Sequence, residues 1–335
     1  MKLGRFLLKR LVSFAIGIAA VVVISFLMTR VLPGNPVYLL VGNQADEETV
    51  AAATKQLGLD KSIPEQFGVY VSDLVRGDLG TSYRTSQAVT TDLESRWPAT
   101  VELGLAATLL ALLWSLPLGV LAAVMRGSVV DRGATSFSGI GVSLPDFWLG
   151  IVLVLVFYST LEWAPAPLGR TAGSAPESHT GFYTIDAIAT GDWSALSAAL
   201  AQLVLPALTL AIVIGAPIMR VTRTFMIDVL DSQYVRAARA LGLSRRRTVL
   251  RHALPNALLP VTAMMATVFG YVMGGTVLVE YVFAWPGIGK YAVDSIAASD
   301  YAPVMAVVLI SAVTYLLVYL LMDVVHLVID PRARS

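Results

Sequence analysis

Six apolar runs divide the chain, at 11–28, 100–124, 134–161, 198–219, 257–279 and 304–329. Each is long enough to cross a bilayer as a helix, which takes about 20 apolar residues. The polar stretches between them alternate in character. Segments 32–98, 162–197 and 280–303 are mixed and rich in turn residues. The stretch at 125–133 is a short turn with Arg126, Asp131 and Arg132, and 220–256 is dense in arginine. Short loops rich in Lys and Arg stay cytoplasmic, so these two lie inside and the mixed segments outside. Lys2, Arg5, Lys9 and Arg10 place the N-terminus inside as well. A cleavable signal peptide begins the same way, but no small-residue cleavage site closes the first run, and a retained span is expected. The pattern predicts an all-α polytopic membrane protein with six transmembrane helices and cytoplasmic N and C termini.

Some positions inside the runs break a plain apolar helix. Pro117 and Gly119 interrupt the second run, and Pro206 and Pro217 bend the fourth. Membrane helices tolerate such residues where neighbours satisfy the freed carbonyls. Gly270, Gly274 and Gly275 in the fifth offer small residues at helical spacing, which let backbones approach closely. Asp146 lies within the third run, just after Pro145. An ionisable residue at that depth faces protein or a water-filled cavity. It either caps a helix broken at Pro145 or lines a substrate path, and the sequence leaves both open. The outer segment 32–98 opens on the turn cluster Pro33 to Pro36 and continues as short amphipathic pieces at 47–59 and 64–75. At about 65 residues it is too long to be structureless, so a small packed lobe is expected.

Composition agrees. Of 335 residues, 56% are hydrophobic and only 14% charged, against about 25% charged in soluble domains. The net charge of +1 is uninformative, but its distribution is not: from 220 to 251, eight arginines against two aspartates leave +6. Cysteine is absent, which excludes disulfides, thiolate metal sites and a cysteine nucleophile, and leaves the redox compartment undetermined. The histidines, 179, 252 and 326, stand in different segments without metal-ligand spacing. A phosphate-binding loop needs G-x-x-x-x-G-K-[ST]; at Gly289-Lys290 the first glycine is Ala284 and the last position Tyr291. No catalytic residue, cofactor or metal is therefore expected in this chain.

The basic segment is more ordered than a topology signal requires. Asp231 or Ser232 can cap a first helix. Tyr234, Ala238 and Leu241 then share one narrow apolar face, and Arg236 and Arg239 another. Gly242 stands where a helix-ending glycine belongs. Ser244 can cap a second helix running to Ala253, which Pro255 ends or kinks. The expected product is a helix–glycine–helix elbow on the cytoplasmic side. Its arginines will attract acidic headgroups, at about 1 kcal/mol each near the surface, but lipid attraction does not need the fixed spacing of Ala237-Ala238, Gly242 and Leu254-Pro255. Docking a helix into a protein groove does, and nucleic acid is not an expected partner.

That spacing resembles the Glu-Ala-Ala loop of binding-protein-dependent ABC importer permeases, with Arg236 at the Glu position and His252 at a hydrophobic one. The longer run from Tyr234 to Pro260 is similar to the variant in the dipeptide/oligopeptide/nickel branch, where Arg-Ala is usual. Further matches are Leu57-Gly58-Leu59-Asp60, Gly77 to Gly80, Phe283 to Gly287 and Asp330-Pro331-Arg332, while Asn35 replaces an aspartate. The resemblance implies a B-type permease with the transmembrane fold of a type I ABC importer: a first helix plus outer lobe (1–98), then a permease domain (99–330) with a coupling loop at about 220–256. It implies that Tyr234, Arg236, Ala237, Ala238, Arg239, Leu241, Gly242, Leu254 and Pro255 couple to an ATP-binding subunit. ATP and magnesium would be held in partner subunits. A second homologous permease, an extracytoplasmic substrate-binding protein and membrane lipids would be the other partners, in the cell membrane. Small peptides are the expected cargo; nickel chelates, glutathione and sugars are alternatives within the class. An ion-coupled secondary transporter would need a charge relay and internal repeats, and Asp146 is the one isolated candidate. An intramembrane enzyme would need paired catalytic residues, which are not found.

Overall fold

The computed structural model describes residues 2–31, 37–42, 45–56, 58–173 and 175–329. Asn35, Leu57 and the Asp330-Pro331-Arg332 ending lie outside the described residues, as do the surroundings of Gly274 and Gly275. Among the described residues the chain is helical, and its β pairing is an isolated antiparallel bridge between Thr81 and Ala88.

Helix α1 (Lys2–Val31) is followed by the short α2 (Val37–Val41), α3 (Glu47–Gln56) and α4 (Ile63–Val75). The last three fall in the segment where the sequence predicts short packed pieces. Glu65 starts α4 by accepting from the Ser62 backbone N–H and hydroxyl, a reciprocal cap of the first turn. The lobe rests on α1 through Phe26, whose ring meets Phe67 edge-on at 5.2 Å and stacks on Tyr70 at 5.7 Å.

The body is built on two helices longer than any bilayer requires. α5 (Val89–Val124) has 36 residues and α9 (Trp193–Leu230) has 38, hence about 54 and 57 Å at 1.5 Å per residue. They run together along their lengths. At Gly215 an added Cβ would fall 2.4 Å from the Trp114 ring. The missing side chain lets Trp114 lie flat on α9 and donate its indole N–H to the Ala211 carbonyl at 3.2 Å. Leu103, Ala107, Leu210, Ile214 and Ile218 fill the seam and are all essentially buried. α12 (Leu254–Val282) and α14 (Tyr301–Ile329) complete the bundle. Gly270 packs against Tyr315 of α14, as its small size predicts.

The third apolar run is not one straight helix. α6 (Val129–Ser143) and α7 (Asp146–Leu153, continuing as a wide π turn, Val154–Thr160) meet at 106°. Pro145 lacks an N–H and pushes Leu144 out of helical backbone, to ψ 130°. Five helices are long and apolar enough to cross a membrane among the described residues, and this bent pair makes up to six.

The outer end is closed by α8 (Tyr183–Thr190), α13 (Ile288–Ala297) and the loops around them. The segment 280–303 is largely helical. Five carboxylates are buried there: Asp92, Glu102, Asp186, Glu280 and Asp300. Glu280 accepts from the Thr100 hydroxyl at 2.6 Å and the Lys290 N–H at 2.8 Å. Gly287 passes so near that a Cβ would fall 2.2 Å from its Oε1. Trp285 donates to the Ala99 carbonyl at 2.8 Å. Glu102 pairs with Arg170 and accepts the Thr184 N–H and hydroxyl. Burial alone would raise the Asp186 carboxyl; the Thr180 hydroxyl and the N–H groups of Thr180, His179 and Gly181 outweigh it and hold it below the usual range.

Candidate functional site

The basic segment is the inner end of the same long helices. α9 runs past its apolar stretch to Leu230, and a turn at Asp231–Ser232 leads into α10 (Gln233–Ala240). Ser232 occupies the N-cap position with extended backbone, but its hydroxyl donates back to the Val229 carbonyl at 2.5 Å and does not cap α10. The end of α9 thus draws donors back onto its last carbonyls, and Arg236 likewise reaches back to the Asp231 carbonyl at 2.8 Å.

The far end of α10 follows its sequence signal. Gly242 adopts φ +79°, Leu243 N–H donates to the Ala238 carbonyl at 3.3 Å, and Gly242 N–H donates to Arg239 at 3.0 Å. This pair of bonds closes a helix through a left-handed residue, a conformation glycine enters without a Cβ penalty. The Ser244 hydroxyl then accepts from the Arg247 N–H at 3.4 Å and starts α11 (Arg245–Arg247).

Two expectations need correction here. The second arm does not end at Ala253 or turn away at Pro255. It widens into a π turn (Thr248–Ala253) and continues as α12. Pro255 sits in the first turn of that α-helix, and the wider turn before it absorbs the missing donor. The elbow is thus the junction of two spans. The apolar face is also different. Val235 points inward, packed with Met226, Leu230, Val249 and Ala253, and Ala238 is buried as well. Tyr234, Ala237 and Leu241 form an outward stripe at i, i+3 and i+7, with Leu241 84% exposed. Arg236 and Arg239 are also exposed, but at about 3.6 residues per turn they lie on the other side of the helix from this stripe. Leu254 is half-buried and Pro255 exposed at the base of the second arm.

Three contacts hold the elbow to the body. Buried Asp131 of α6 takes two hydrogen bonds from Arg223, one of them from Nη2 at 2.9 Å, and a third from the Gly127 N–H at 2.9 Å. Arg245 donates to the Val124 carbonyl at 2.6 Å, which satisfies the end of α5. Arg126 and Asp231 meet at 3.4 Å in the open; such an exposed pair contributes about 0–1 kcal/mol. A polar cleft of about 520 Å³, lined by Arg126, Asp231, Arg239 and Arg245, remains between elbow and body. Sequence spacing missed Val235, Asp131 and Arg245 as anchors. The Asp131–Arg223 pair joins positions 92 residues apart, and no local pattern announces it.

Asp146 stands at the break between α6 and α7, away from the elbow. It is buried, accepts from the adjacent Phe147 N–H at 2.7 Å and accepts the Tyr271 hydroxyl of α12 at 3.2 Å. The first bond lies at the start of α7, and the second ties Asp146 to α12. Among the described residues, no His, Cys, Asp and Glu group could hold a metal ion.

Two family models cover most of the chain. Residues 115–335 match the binding-protein-dependent transport system inner membrane component, and residues 3–104 match the N-terminal membrane component of the same systems. Among curated relatives, the probable D,D-dipeptide transport system permease of Escherichia coli K12 is 42% identical over 94% of this chain and 93% of its own length. The di/tripeptide transport system permease of Pseudomonas aeruginosa is 39% identical over 94% of each. The glutathione transport system permease of Salmonella choleraesuis is 34% identical over 98% of each. These relatives are membrane permease components, not catalytic subunits. The chain belongs to the binding-protein-dependent transport system inner membrane components, as a multi-pass ABC permease of the inner membrane.

Proposed function

We propose that this chain is the transmembrane permease subunit of an ATP-driven importer and passes small peptides, delivered by a substrate-binding protein, across the membrane by alternating access. The observation that carries the mechanism is the elbow. An apolar stripe of Tyr234, Ala237 and Leu241 faces outward at the joint between two spans, on a helix whose other face is packed into the body. A subunit that grips this stripe moves α9 and α12 together. Gly242 ends the helix that carries the stripe, and exposed Arg236 and Arg239, buried Ala238, and Leu254 and Pro255 at the base of the second arm complete the coupling set. ATP and magnesium belong to the gripping subunits, since this chain carries no phosphate-binding loop. The bent α6–α7 pair counts as one crossing, which makes six spans with both termini on the elbow's side; 1–98 forms the first helix and outer lobe, and 99–330 the permease unit. The outer face receives the binding protein, and a second, homologous permease completes the pathway.

Peptide cargo is supported by the names of the dipeptide and di/tripeptide relatives. Glutathione is the second reading, because permeases of that name align over 98% of the chain. Purification from native membranes in a gentle detergent tests the assembly: an ATPase, a second permease and a binding protein should co-purify. Reconstituted with them, the chain should support uptake that needs ATP and is competed by dipeptides more strongly than by glutathione. Uptake driven by an ion gradient without ATP would overturn the proposal.

A further inference from the structure

An apolar groove of about 770 Å³ opens beside the elbow, between the inner end of α5 and the start of α12. Its size lies within the range of small-ligand sites. Pro117, Leu121 and Met125 form one wall, and Leu250 and Leu258 the other. Pro117 inside α5 and the π turn before α12 border it. At its mouth stand Arg245 and Arg246. Arg245 spends one N–H on Val124 and keeps others free. Arg246 is exposed and makes no hydrogen bond or ion pair among the described residues.

We infer that this groove binds an anionic phospholipid of the inner leaflet, with an acyl chain between α5 and α12 and its phosphate at Arg245 and Arg246. Two features select this occupant. The walls are apolar while the mouth is doubly cationic, which matches an amphiphile with a negative head and excludes a free anion as sole ligand. The groove is also continuous with a lipid-compatible surface: Leu105, Leu109, Leu113, Pro117 and Leu121 lie at i, i+4 steps along α5, all exposed, and lead into it. Anionic lipids concentrate on the inner leaflet, where the arginine-rich elbow places this mouth.

The absence of cysteine allows a site-specific test. A single cysteine is introduced as Leu250→Cys in the whole transporter, labelled with a fluorophore and reconstituted in phosphatidylcholine vesicles. Brominated-chain phosphatidylglycerol or brominated-chain phosphatidylcholine is then added as quencher. Half-quenching is expected at an at least fivefold lower mole fraction of the glycerol lipid. Arg246→Gln should remove that preference, and a label at Leu109→Cys, on the open face of α5, should show none. Equal quenching by the two lipids at position 250, or the same preference at position 109, overturns the inference. So does a cross-link from Leu250→Cys to the second permease without quenching by either lipid, which would make the groove a subunit interface. The readout is binding, so it stands or falls separately from the transport substrate.

Discussion

The two ends of the bundle solve opposite problems. At the outer end, Asp92, Glu102, Asp186 and Glu280 are buried and met by hydroxyls, backbone N–H groups or arginine, from distant segments at Asp92, Glu102 and Glu280 and from the preceding turn at Asp186. Asp300 joins them through the Ser82 hydroxyl and the Arg84 N–H. Buried charge left unpaired is costly, so such a network holds only if its loops stay where they are. At the inner end the polar groups are mostly arginines in water, and the apolar ones include an exposed stripe on α10. The outer end meets these carboxylates largely from within the chain. The inner end leaves surface that a partner would cover, and the elbow there is held by a few contacts.

Glu280→Ala should have the largest effect on the fold. It leaves the Thr100 hydroxyl and the Lys290 N–H unpaired in a site closed by Gly287. The expected loss is about 3 kcal/mol or more, or about 6 °C in the melting temperature of the purified complex at about 2 °C per kcal/mol. Glu280→Gln keeps a carbonyl acceptor and should lose less. A melting curve for Glu280→Ala that overlays the wild type would mean the outer end is not locked by this carboxylate.

Arg223→Ala comes next, and it is the inner end's nearest equivalent. Asp131 would stay buried with only the Gly127 N–H opposite it. Breaking a fully buried pair costs about 3–5 kcal/mol, but water already reaches the Arg223 side chain, so about 2 kcal/mol is expected. Arg223→Lys restores the charge without the two-pronged geometry and should recover part of the loss. Thermal melts of the three proteins give the order; equal melting of wild type and Arg223→Ala would show that the elbow's root does not rest on this pair.

The same contrast marks what was legible in the sequence. Spans, the outer lobe's helices at 47–59 and 64–75, and the Gly242 helix end follow from periodicity, run length and backbone preference, all local quantities. Span three could be seen as apolar but not as bent by 106°, since Pro145 permits a break without setting its angle. The expected apolar face of the elbow is split, with Ala238 buried and Tyr234 and Leu241 exposed. Helical spacing groups residues onto a face but does not say which face meets the body, and Val235 between two polar neighbours looked unremarkable. The outer network was invisible because its pairs, such as Thr100 with Glu280, lie 180 residues apart.

Gly242→Ala should disturb the fold less and the elbow more. A residue with a Cβ held at φ +79° costs about 1–2 kcal/mol, and because the added Cβ would meet nothing within 4 Å, the cost is backbone strain alone. Hydrogen exchange should rise in 233–247 and not at the outer end. Under the proposed role, transport should fall more than ATP hydrolysis, and Gly242→Asn, which tolerates the left-handed conformation, should recover much of both. Unchanged exchange in Gly242→Ala would mean the elbow does not depend on that turn.

Leu241→Glu should have the smallest effect on the fold, and for that reason it separates the two ends most sharply. The side chain is 84% exposed, so its replacement should change stability by no more than about 0.5 kcal/mol. A partner's groove would respond differently: it would have to bury a carboxylate in place of an apolar side chain, and burying an unpaired charge is far more costly than exposing a leucine. Co-purification of the ATPase should therefore drop while melting of the permease alone stays at the wild-type value. Val235→Glu is the counter-case, since Val235 is fully buried against the chain's own core and its loss should lower melting whether or not a partner is present. If Leu241→Glu retained its ATPase and transported normally, the exposed stripe would be ordinary surface with no part in holding a partner.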